Sequence, residues 1–119
     1  IQGDILDKNL MNKVCGDADV VHHLAGITAV PRTKSESSAS QDKRIKEVGE
    51  LGTQNILDAI SDECKIIMPS SHVAYEGLES IKKNIQENEK TCPTLSYGKS
   101  KETNENHKKR MLKAILGHL

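Results

Sequence analysis

Residues 96–101 read Ser-Tyr-Gly-Lys-Ser-Lys, which places the phenol of Tyr97 four residues before the ammonium of Lys101. On a helix that spacing brings both side chains to one face, within reach of a common ligand. A phenol with an ordinary pKa near about 10 is a poor base at neutral pH. An adjacent cation favours phenolate and draws the pKa toward the working range. The pair therefore suits proton abstraction from a substrate hydroxyl. By itself the spacing arises often by chance, and it describes a solvated helix face equally well. Upstream, Ser70 and Ser71 close an apolar run. Hydroxyls there can hydrogen-bond an oxygen on which charge develops, or simply belong to a turn.

Positioning such groups is the task of the elements around them, which alternate. "IQGDI" (1–5) reads as a short strand and "DKNLMNKVCGD" as a short helix with Leu10, Met11 and Val14 on one stripe. "ADVVHHLAGI" and "CKIIMPSS" are runs of β-branched and apolar residues that suit strands buried on both faces. Between them "PRTKSESSASQDK" is polar, a loop or helix start. "RIKEVGELGTQNILDAIS" carries Ile45, Val48, Leu51, Ile56 and Ile60 at helical spacing. Gly49 and Gly52 within it each cost about 1 kcal/mol relative to Ala. A long charged connection, "HVAYEGLESIKKNIQENEKTCP", leads to a final helix expected from Ser96 or Tyr97 to beyond Ile115. Helices between buried strands need crossover connections, which predicts an α/β fold with a parallel sheet. In such sheets ligands bind outside the carboxyl ends of the strands. Those ends are "HHLAGITAV", with the small residues Ala25 and Gly26, and "IIMPSSHVAYEG".

Composition narrows the partners. The 119 residues include 17 basic and 17 acidic side chains, so no net field collects nucleic acid or an anionic membrane. No run reaches the roughly 18 apolar residues of a membrane helix, and the first residues do not read as a secretion signal. Three spaced cysteines and five scattered histidines suit reduced thiols in the cytoplasm, and no metal site is expected. Apolar residues make up only 35% of the chain, without Phe or Trp. A core so poor in large side chains barely offsets folding entropy. The expectation is that the chain is part of something larger.

Five segments in order carry a resemblance: "GDILD" at 3–7, "DVVHHLAG" at 19–26, "GTQNILDA" at 52–59, "PSSHVAY" at 69–75 and "PTLSYGKSK" at 93–101. Together they resemble the extended short-chain dehydrogenase/reductase family of NAD-dependent nucleotide-sugar epimerases and dehydratases, most of all the UDP-sugar 4-epimerases. The resemblance implies a Rossmann-type doubly wound parallel sheet lacking its first two strands and the C-terminal substrate region. Residues 1–119 would be the central part of the NAD-binding domain. It implies Ser71, Tyr97 and Lys101 as the catalytic set. Asp4, Ile5, Leu24, Ala25 and Gly26, with Tyr97 and Lys101, would line the NAD cofactor. Tyr97 would take the proton of a sugar hydroxyl as hydride leaves the same carbon, Ser71 would steady that oxygen, and Lys101 would bind the nicotinamide ribose and tune Tyr97.

The implied substrate is a nucleotide-diphosphate sugar, and the implied assembly is a homodimer through helices at 42–61 and 96–115. Alternatives on the same residues are an NAD(P)-dependent reductase or dehydratase, or a truncated, non-catalytic remnant that acts only through helix association. Three departures bear on the choice. Gly49 stands where the family usually has Asn, and Thr28 stands where the nearest epimerases often have Lys. His72 and Val73 stand where dehydratases place an Asp-Glu pair, which makes dehydration the less expected chemistry. The glycine-rich G-x-x-G-x-x-G stretch that cradles a cofactor pyrophosphate is not in this sequence. These 119 residues alone are accordingly expected to be inactive.

Overall fold

The two β-branched runs meet side by side. Val20–His22 (β1) pairs in parallel with Lys65–Ile67 (β2), with Val20 opposite Lys65, Val21 opposite Ile66 and His22 opposite Ile67. The structure is a computed structural model that describes residues 1–78, 84–86 and 88–107. The helices are Lys8–Cys15 (α1), Ala39–Lys46 (α2), Gly52–Ala59 (α3) and Ser96–Asn106 (α4). A π-helical turn, Glu47–Leu51, joins α2 to α3, and a 3-10 turn, His72–Tyr75, follows β2. The part of the expected last helix beyond residue 107 lies outside the described residues.

Short polar side chains start the helices. Asp7 Oδ1 accepts the Leu10 amide at 3.0 Å, and Ser38 Oγ accepts the Gln41 amide at 3.3 Å. Met11, Cys15, Ile56, Leu57 and Ile66 then form a core between α1, α3 and β2, with Ile5, Leu10, Val21, Ile60 and Met68 packed around it. The crossover from β1 through α2 and α3 to β2 is the predicted parallel unit.

Residues 1–5 are a correction: they form no strand. Among the described residues the sheet has two strands, and neither lies beside this segment, so no ladder can satisfy its backbone. Side chains hold it instead. Asn55 Nδ2 donates to the Ile5 carbonyl at 3.0 Å, and Arg44 pairs with Asp4 at 3.7 Å. β1 and β2 are also shorter than their apolar runs, at three residues each.

Candidate active site

The end of β2 and helix α4 are laced together at three levels. Lys101 Nζ donates to the Pro69 carbonyl at 3.1 Å. The Ser70 hydroxyl donates to Glu105 one turn further along α4. Glu76, just past the 3-10 turn, accepts from the Thr94 amide at 3.0 Å, the Thr94 hydroxyl at 2.7 Å and the Leu95 amide at 3.0 Å. Backbone bonds from Cys92 to Ala74 and from Gly77 to Cys92 complete the seam. Gly98 permits it: a Cβ there would lie 2.9 Å from the Val73 carbonyl oxygen and 3.0 Å from Pro93 Cβ.

Ser71 sits inside this seam, capping the 3-10 turn by accepting from the Val73 amide at 3.5 Å. That bond uses a lone pair and leaves the hydroxyl hydrogen to be donated. With Ser70, His72, Tyr75, Ile85 and Gln86 it lines an open pocket of about 450 Å3, a volume in the range of small-molecule sites. Tyr97 and Lys101 meet as the spacing predicted, with Nζ 5.5 Å from the ring centroid. Burial pulls the Lys101 ammonium below its ordinary pKa, while Glu105 opposes that shift. Ser71 therefore lines one cavity and the Tyr97–Lys101 pair lines another.

The second cavity brings in the end of β1. Ala25 and Gly26 line it together with Tyr97 and Lys101. Leu24 is 72% exposed, and a Cβ built on Gly26 would meet nothing within 4 Å. The strand end is thus bare enough for a flat ligand to lie against its backbone. Asp4 and Ile5 are placed differently, with Asp4 turned to Arg44 and its own Leu6 amide, and Ile5 packed against the backbone at Gly52.

Sequence reasoning missed the polar wall behind the pair. Thr53 Oγ1 bonds the Gly49 carbonyl at 2.5 Å, Asn104 Nδ2 bonds the same carbonyl at 2.8 Å, and His23 Nε2 bonds Thr53 Oγ1 at 2.8 Å. The available signal was the spacing Tyr97, Ser100, Lys101, Asn104, one helical stripe of polar rather than apolar residues. The His23 side chain bonds Thr53, while its own amide bonds the Ile67 carbonyl at 2.8 Å.

Residues 1–114 match the 3-beta hydroxysteroid dehydrogenase/isomerase family. The chain belongs to that family. Its members are extended short-chain dehydrogenases, so the wider resemblance seen in the sequence holds. Among curated proteins none matches the chain in sequence. Among solved structures it is similar to UDP-glucose 4-epimerase from Brucella ovis in complex with NAD, at 28% identity and a TM-score of 0.73 over 90% of this chain and 32% of that one. It is also similar to RMD from Pseudomonas aeruginosa complexed with NADPH, at 25% identity and a TM-score of 0.73 over 90% and 36%. UDP-glucuronic acid 4-epimerase from Bacillus cereus in complex with NAD matches at 25% identity and a TM-score of 0.62 over 89% and 32%. The chain thus spans about a third of the length of these structures. The α/β fold with a parallel, Rossmann-like sheet follows. Among the described residues no helix is long and apolar enough to cross a membrane.

Proposed function

We propose that this chain is the central part of the NAD-binding domain of a nucleotide-sugar epimerase. The observation that carries this reading is the Lys101 ammonium 5.5 Å from the Tyr97 ring centroid, near the bare end of β1. Ala25 and Gly26 would face the nicotinamide cofactor, with Leu24 beside them and Asp4 and Ile5 toward its adenine end. When bound, that cofactor supplies the hydride acceptor and, for an epimerisation, the hydride returned to the opposite face of the keto sugar.

The chain's own residues handle the proton and the oxygen. Tyr97, as phenolate, takes the proton of the sugar hydroxyl. Lys101, over the Tyr97 ring, reaches the nicotinamide ribose. Ser71 donates its remaining hydrogen to the sugar oxygen as charge gathers there. The pocket beside Ser71 would take the nucleotide-diphosphate sugar. Likeness to UDP-glucose 4-epimerase supports that substrate class, and Leu51, 53% exposed on the α2–α3 rod, supports a homodimer through that rod and α4.

A reductase on the same residues is the second reading, favoured by the likeness to RMD, which was solved with NADPH, and by the dehydrogenase named in the family description. The test is to purify the protein from its natural source, release and identify any bound nucleotide, and supply UDP-sugars. Epimerisation with no net change in NAD redox state is the expected result. Net consumption of NAD(P)H with a keto sugar would replace the first reading with the second. A dimer with neither nucleotide nor turnover would identify a non-catalytic remnant.

A further inference from the structure

Behind Tyr97 and Lys101, the cavity walled by His23, Gly49, Thr53, Ser100 and Asn104 measures about 20 Å3. That is room for one water molecule, which needs roughly 10–15 Å3, and not for two. Three side-chain atoms of this wall have no hydrogen-bond partner among the described residues: His23 Nδ1, Ser100 Oγ and Asn104 Oδ1. Their residues are only 5%, 3% and 2% exposed. Buried polar atoms left unpaired cost about 1–3 kcal/mol each, so three in one small cavity mark a place built for a ligand.

The bonds already made fix what each atom offers. Thr53 has one hydroxyl hydrogen, and the Gly49 carbonyl 2.5 Å away takes it. His23 Nε2, 2.8 Å from Thr53 Oγ1, must then be the N–H donor, which leaves Nδ1 of the neutral ring a bare acceptor. Asn104 directs its amide hydrogens at the Gly49 carbonyl and at Thr53 Oγ1, which leaves Oδ1 as an acceptor. Ser100 Oγ can donate one hydrogen. The site therefore offers two acceptors and one donor, the complement of a molecule with two donors and a lone pair. Two bare acceptors oppose an anion, and the ammonium of Lys101, which lines the same cavity, opposes a cation. A neutral molecule of one heavy atom remains.

Position 49 makes the room. A Cβ there would collide with Ser100 Oγ, so any side chain would occupy the cavity or push Ser100 out of it. We propose that the cavity binds a single water molecule, held by His23 Nδ1, Ser100 Oγ and Asn104 Oδ1, and that Gly49 exists at this position to admit it. The water ties the end of β1 to the face of α4 that bears Tyr97 and Lys101, nearly as well as a direct bond would.

A crystal structure of the protein at a resolution that shows ordered waters tests this. One full-occupancy water within about 3.2 Å of all three atoms is expected. Direct pairing of these three side chains with one another, with no water between them, would overturn the proposal. In solution, nitrogen NMR of the histidines should show His23 protonated at Nε2 and not at Nδ1; the opposite tautomer would remove the acceptor and sink the idea. Gly49→Ala should abolish the water peak. A water retained at full occupancy in that variant would overturn the role given to Gly49. None of these readouts depends on catalytic turnover.

Discussion

Lys101 lies over the Tyr97 ring while its ammonium bonds the carbonyl of Pro69, so one lysine ties the helix bearing Tyr97 to the strand end that precedes Ser71. The same side chain thus touches both walls, the ring on one helix and the carbonyl at the end of the strand. Pro69 offers a carbonyl at the end of β2, outside the ladder, where it is available to a side chain.

Tyr97→Phe removes only a hydroxyl and leaves the ring under Lys101. Turnover should fall by roughly 10²–10⁴-fold, the usual contribution of a positioned base. Cofactor content and thermal stability should stay within error of the parent. Loss of the cofactor along with activity would mean that Tyr97 serves binding rather than proton transfer. Assays of turnover and of released nucleotide on one preparation separate the two.

Glu76 holds the entry to α4 through three accepted hydrogen bonds. Burial raises its pKa, but the Thr94 hydroxyl and amide, the Leu95 amide and the charge of His72 outweigh it, so the net shift is downward. A depressed carboxylate contributes stability above its unfolded value of about 4.5, lost as pH falls through the lower folded value. Glu76→Gln should cost about 1 kcal/mol at neutral pH, and the difference from the parent should shrink as pH drops below 4.5. Denaturant unfolding at several pH values checks this; a difference independent of pH would refute the charge-based account.

Much of this site was legible in the sequence, and the rest was not, for a physical reason. Tyr97 and Lys101 lie on one helix, so spacing alone predicted their meeting. The parallel pairing of β1 and β2 followed from two apolar runs separated by a helical pattern. The Asn104–Gly49 bond joins residues 55 apart, and the Asn55–Ile5 bond joins residues 50 apart. No local pattern encodes such pairs. The buried face of α4 is Gly98, Ser100 and Asn104, so apolar periodicity, the main sequence signal for a packed face, was missing there. Residues 1–5 read as a strand because Ile1 and Ile5 flank them, but a strand exists only through its neighbour.

Gly98→Ala pits two effects against each other. Alanine is favoured over glycine within a helix by about 1 kcal/mol. Its Cβ, however, would stand 2.9 Å from the Val73 carbonyl oxygen, which is backbone and cannot rotate away. Overpacking costs typically about 1–3 kcal/mol, so the clash should win and the variant should melt lower. Because the strain falls between Ser71 and Tyr97, turnover should suffer more than stability. A variant as stable and active as the parent would show that the seam is looser than its distances imply.

His23 contributes to the pH dependence of the fold. Burial first, and then the charge of Lys101, hold its pKa below the ordinary 6.5. The folded protein therefore refuses a proton that the unfolded chain accepts. Stability is full above about pH 6.5 and declines as pH falls from there toward the lower folded value. The slope for one such group is at most about 1.4 kcal/mol per pH unit. His23→Gln keeps a nitrogen donor for Thr53 but has no group that titrates, so it should flatten this decline between pH 6.5 and 5 while costing some stability at pH 7.5. Protonation in the parent would also put a second cation beside Lys101, in a cavity whose remaining side chains carry no negative charge to offset it. Parallel unfolding curves across that window decide the matter: an undiminished decline in His23→Gln would assign the effect to other groups and return His23 to a purely structural part.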